Sequence, residues 1–160
     1  MTNPATTANV WEVINKEIFA VLGMVTQGRE SRTVGIVYIV KDHRLYVGTG
    51  LTSWKARHIM GNPSVSVTIP IAKRIPLLSW INIPQATISF SGTAKIIPGV
   101  DADGELLHSV FRHVADDREE MEKSCLIEIQ PEGDFITYGV GIPLMKMMNP
   151  ELARGRAPVK

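Results

Sequence analysis

Residues 33–67 read TVGIVYIVKDHRLYVGTGLTSWKARHIMGNPSVSV, and their order decides the fold. The run 33–40 is almost continuously apolar and β-branched, which predicts a strand buried on both faces. KDHR turns the chain, and LYVGT (45–49) returns as its hairpin partner. Thr52 or Ser53 can then cap a short helix over 53–60, ended by Gly61-Asn62-Pro63. VSVTIPI (65–71) places an apolar residue at every second position, the pattern of a half-buried strand.

Working outward, Asn9 can cap a first helix, with Glu12 completing a capping box and Val10, Ile14 and Ile18 at helical spacing. Residues 1–8 precede it as a loose tail. FAVLGMVT (19–26) is a strand closed by the turn QGRES. Downstream, AKRIPLLSWINIPQ (72–85) carries two prolines and no period, so it reads as an excursion. ATISFSGTAKII (86–97) is a strand with Gly92 as its bulge. Apolar positions 106, 107, 110, 111 and 114 mark an amphipathic helix within 103–117. CLIEIQ, the turn PEGD and FITYG form a last strand pair, and 140–160 is a C-terminal tail.

The sum is one domain over 1–160, mainly β with flanking helices. Its six to seven antiparallel strands in hairpin order favour a closed Greek-key barrel over an open sheet. No βαβ units occur, and GTGLTSW lacks the third glycine of a dinucleotide fingerprint. A net charge of +1 gives no broad basic field for nucleic acid or a membrane surface. No apolar run approaches the ~20 residues that span a bilayer, and the N-terminus lacks signal-peptide features. The single cysteine, Cys125, allows no intrachain disulfide, and a reducing cytoplasm suits it.

Lys55, Arg57 and His58 oppose the expected charge pattern. Cations near a helix N-terminus cost roughly 0.3–1 kcal/mol each against the helix dipole. A bound anion would reverse that sign, because backbone N–H groups at a helix start point at such a ligand. Gly48 and Gly50 upstream would allow a close backbone approach. The alternative is a solvated basic helix face, and spacing alone does not identify an anion.

The combination of Thr49, Ser53, Lys55, Asn62, Pro63 and the alternating strand after them resembles the pyridoxamine 5′-phosphate oxidase-like, FMN-binding split-barrel superfamily. The resemblance covers roughly 10–97, and YGVGIP (138–143) is similar to uncharacterised members. It implies an FMN-binding split β-barrel and a homodimer with the cofactor at the subunit boundary. Thr33, Gly35, Ile36, Val37 and Tyr38 would face the isoalloxazine ring, with Gly48 and Thr49 from the next strand. Ser53 and Lys55 would hold the phosphate. Trp54 stands where the family oxidase has an arginine, so Arg57 would supply the second cation or Trp54 would stack on a flat group. The oxidase's pyridoxal phosphate-binding residues have no match. The implied activity is therefore a small flavin-dependent oxidoreductase of unassigned substrate and electron donor, with no catalytic residue nominated. Haem and deazaflavin binding, or no turnover at all, are the alternatives.

Other candidates are plainer. His108 and His113, five apart, do not share a helix face, so no zinc pair forms, and surface positions are expected. Cys125 reads as a small buried hydrophobe. ADDREEMEK (115–123) reads as a solvated helix end. The apolar IPLLSWINIP (75–84) reads as a subunit interface or a lid.

Overall fold

The computed structural model describes residues 5–71 and 85–160. The chain begins with α1 (Thr7–Lys16), capped by the Thr6 hydroxyl, which accepts the Asn9 N–H. The helix therefore starts inside the expected tail. Glu12 is not part of a capping box but pairs with Lys16 at 2.6 Å. β1 (Phe19–Val25) and β2 (Ser31–Val37) form a hairpin. β3 (Ile39–Lys41) and β4 (Arg44–Gly50) form a second, whose Asp42-His43 loop has φ of 51° and 57°, both left-handed. That pair of positive φ values matches the right-handed twist of the flanking strands.

α2 (Trp54–Gly61) leads into β5 (Ser64–Ile71), which lies between β1 and β6 (Ala86–Pro98). Gly61 falls within α2, and Asn62 ends it with extended φ rather than a left-handed cap. α3 (Gly104–Phe111) and α4 (Arg118–Lys123) then precede β7 (Ser124–Tyr138). The expected single helix over 103–117 breaks because Arg112 takes φ 56° and a 3-10 turn follows. The two expected strands around PEGD are one strand of 15 residues. Both halves of β7 pair with β6, and the register slips between Ser89 and Ser91. The bulge therefore sits opposite, around Gly133 at φ 72°, and not at Gly92. Gly92 serves a different end, since a Cβ there would collide with the Gln130 carbonyl.

Residues 140–160, expected as a tail, form α5 (Leu144–Met147), α6 (Pro150–Ala153) and β8 (Arg154–Pro158), which pairs with β7.

Strand order is β2-β1-β5-β6-β7-β4-β3, with β8 beside β7. β2 and β3 are one chain run bent at Tyr38, so the two ends of the sheet meet there and the sheet curls into a split barrel. The barrel interior holds Leu22, Ile36, Tyr38, Leu45, Val47, Ile69, Ile88, Ile127, Ile129 and Phe135. α1 packs onto it through Val10, Trp11 and Ile14, and the Tyr38 hydroxyl donates to the otherwise open Ile14 carbonyl at 2.9 Å. A second cluster, Tyr46 and Leu126 with Leu106, Leu107 and Met121, joins α3 and α4 to the outer face of β4 and β7.

The expectation that 33–40 is buried on both faces is not met. Thr33, Gly35 and Val37 are exposed, Ile36 and Tyr38 are buried, and Val34 and Val40 pack half-buried against the core. An antiparallel sheet in a single chain can leave one face uncovered, and here that face carries Thr33, Gly35 and Val37.

Candidate functional site

Successive side chains of β4 alternate sides. Leu45 and Val47 enter the barrel core and Tyr46 faces α3, so Thr49 points inward at the barrel mouth. There its hydroxyl donates to Ser53 Oγ at 3.2 Å. Ser53 caps α2 as expected, since Oγ also accepts the Ala56 N–H at 3.3 Å. Both interactions use Ser53 as acceptor, which leaves its own hydroxyl hydrogen to donate elsewhere. Ala56 and Ile59 are buried and seat the helix on the barrel.

Trp54 opens α2 and is 37% exposed. The Lys55 ammonium stands 5.8 Å from the centre of its ring, within cation–π range. The His58 ring meets the same indole edge-on, also at 5.8 Å. Among the described residues no carboxylate pairs with Lys55, Arg57 or His58. Lys16, Lys41 and Lys123 contrast with them, each holding a carboxylate oxygen within 3.3 Å. Lys55 is half-buried besides. Cys125, opposite Thr49 in the β4–β7 ladder, is fully buried. Burial pushes its thiol up, and the Lys55 charge opposes that shift.

The structure gathers Thr49, Ser53, Trp54, Lys55 and Arg57 at the barrel mouth. The β2 group lies elsewhere. Thr33, Gly35 and Val37 present an outer wall, whereas the Ile36 and Tyr38 side chains are spent in the core. The Phe19 ring already covers Gly35, 2.9 Å from where a Cβ would stand. Gly48 does not offer an open approach: Val110 and Phe111 of α3 fill that side. Sequence reasoning missed this docking, although 110 and 111 belonged to the recognised apolar stripe. It also missed the exposed apolar patch of Ile18, Phe19 and Val37.

A cleft of about 910 Å³, lined by Trp11, His43, Arg44 and Gln130 among others, opens at the far end of β4 and borders none of the mouth residues. His108 Nε2 lies 3.2 Å from Asp116 Oδ1, and His113 is exposed. No group of three or more His, Cys, Asp or Glu side chains among the described residues is arranged to hold a metal ion. No helix among them is long and apolar enough to cross a membrane. The 75–84 segment, expected as an interface or lid, lies outside the described residues.

Neither the protein-family models nor the curated proteins match this sequence. Solved structures do. A protein assigned as a pyridoxamine 5′-phosphate oxidase from Listeria innocua aligns at TM-score 0.59 and 19% identity over 79% of this chain and 93% of its own. The chain has the split-barrel fold of the pyridoxamine 5′-phosphate oxidase-like proteins. The heme storage protein HutZ from Vibrio cholerae shares this split barrel at TM-score 0.63 and 15% identity, over 84% of this chain and 95% of that one. An FAD-binding protein from Mesorhizobium loti does so at TM-score 0.59 and 16% identity, over 81% and 90%. At these identities the likeness is one of fold. The split barrel supplies the scaffold, and the chemistry has to be argued from its mouth.

Proposed function

We propose that this split-barrel chain binds FMN, free or as part of a larger flavin, and works as a homodimeric, cytoplasmic, small flavin-dependent oxidoreductase. The observation that carries the reading is Lys55, a half-buried cation at the positive end of α2 with no carboxylate partner among the described residues. A phosphate dianion turns an unfavourable placement into a favourable one, because side chain, dipole and free N–H groups then act on one charge. Ser53 adds its unused hydroxyl hydrogen, and Arg57, four residues on, adds a second cation. Bound flavin supplies hydride and electron transfer, while the protein positions it and sets its surroundings.

The outer wall of β2 suits a planar apolar ring, but in one chain that wall and the barrel mouth face different ways. A second copy seated on Ile18, Phe19 and Val37 would supply the missing side of the pocket. Relatives in fold include an FAD-binding protein, an F420 reductase and a heme storage protein, so flavin is weighed against deazaflavin and haem. Three of the four histidines are already engaged, His43 tilted against Trp11, His58 edge-on against Trp54 and His108 beside Asp116, which weighs toward flavin.

The absorption spectrum of the purified protein is the test. A flavin band near about 450 nm, bleached by a nicotinamide donor, supports the reading, whereas a haem band near about 400 nm overturns it. A flavin that no donor reduces would leave a binding protein rather than an enzyme.

A further inference from the structure

The cleft at the far end of β4 is built by three elements that meet away from the barrel mouth. α1 supplies Trp11 and Glu12, the β3–β4 hairpin supplies Asp42, His43 and Arg44, and β7 supplies Gln130. Its volume of about 910 Å³ is that of a small-molecule site. Two side chains in its wall carry donors that the fold leaves unused. Trp11 is 4% exposed, set at right angles to the Phe135 ring and tilted against the His43 ring at 4.7 Å. Its Nε1–H meets no acceptor among the described residues, although a buried indole N–H ordinarily has one. Arg44 is half-buried, and its Nε donates to Gln130 Oε1 at 2.8 Å, which fixes the guanidinium plane. No carboxylate pairs with it among the described residues.

The acids nearby do not make up that deficit. Glu12 is taken by Lys16, and Asp42 is exposed at the rim, where water solvates it and the exposed Lys160 offsets its charge. The groups short of a partner away from water are therefore both donors, and what they lack is an acceptor. One fixed guanidinium with two carboxylates close by suits a single negative charge better than a dianion, and its planar fork matches a carboxylate. Ala8 and Val159 give the cleft apolar walls. We propose that this cleft is a binding site, distinct from the mouth, for a small organic carboxylate. Its oxygens accept from Arg44 and Trp11 Nε1, and its apolar body lies between α1 and the β3–β4 hairpin. The site borders none of the mouth residues assigned to the flavin, so it is independent of that reading.

Titration of the isotope-labelled full-length protein with benzoate and with benzamide, its neutral counterpart, tests this by NMR of the indole N–H groups. Three tryptophans give three such signals, and the one that Trp11→Phe removes belongs to Trp11. Benzoate is expected to move that signal and to bind at least about tenfold more tightly than benzamide. Arg44→Gln should remove the preference, and Trp11→Phe should weaken benzoate about three- to tenfold. The wild-type comparison decides even where a variant fails to fold. A Trp11 signal unmoved at millimolar benzoate, equal binding of benzoate and benzamide, or inorganic phosphate binding as well as benzoate would each overturn the proposal.

Discussion

The Phe111 ring occupies the space that a side chain at Gly48 would need: a Cβ there would lie 2.9 Å and 3.0 Å from two ring carbons and 2.7 Å from Val110 Cγ1. Gly48 is thus the socket by which α3 docks on β4, one residue before Thr49. Gly48→Ala should push α3 outward and cost about 1–3 kcal/mol. Thermal unfolding should show a drop of roughly 2–10 °C for a chain of this size, partly recovered by adding Phe111→Leu. An unchanged melting temperature would mean that α3 does not dock here.

Tyr38 is buried at the bend that joins β2 to β3, and burial pushes its hydroxyl well above the ordinary phenol range, with Glu17 adding to the shift. Tyr46 is raised as well, first by burial and then by its hydrogen bond to Glu128. Raised values make a stability contribution that is fully present below the unfolded value near 10 and is lost as pH rises through the folded value. Alkaline titration followed by phenolate absorbance should therefore show Tyr38 ionising only as the chain unfolds. Smooth ionisation near pH 10 with native circular dichroism would show the residue to be accessible.

Cys125 is fully buried and burial raises its thiol, so the reactive thiolate is both scarce and shielded. A thiol reagent at neutral pH should leave the native protein untouched and label one site per chain after denaturation. Rapid native labelling would contradict the placement of Cys125 in the β4–β7 ladder.

Val37 is 66% exposed and stands opposite Phe19 in the β1–β2 hairpin, next to Ile18 at 68%. A charge on this patch should do little to the monomer fold and much to a subunit contact. Val37→Asp should shift the molar mass measured by light scattering from dimer to monomer. A wild type that is monomeric at working concentrations would remove the proposed boundary for the ring.

What could be read from the sequence follows the range of the forces involved. Alternation in 65–71 and 86–97, and the turn residues at 27–31 and 41–44, act over a few residues and gave the strands correctly. Ser53 was recognisable as a cap for the same reason. Errors arose where distant parts decide. PEGD has turn composition, but pairing of both flanks with β6 makes it a bulge. The run 33–40 looks doubly buried because apolar residues on an uncovered face are indistinguishable from core by composition. Gly48 suggested an open approach, and only the packing of α3 shows otherwise. The outer-wall residues and the mouth residues were grouped by resemblance, whereas in space they occupy two surfaces.

The central claim is that Lys55 stands at the head of α2 to hold a flavin phosphate. Titration of flavin-free wild type and Lys55→Ala with FMN measures it directly. Loss of one charge-assisted contact, about 1.5–3 kcal/mol, predicts a Kd raised roughly ten- to 150-fold and a variant that purifies nearly colourless. A Lys55→Ala protein that binds FMN as tightly as wild type would contradict the account.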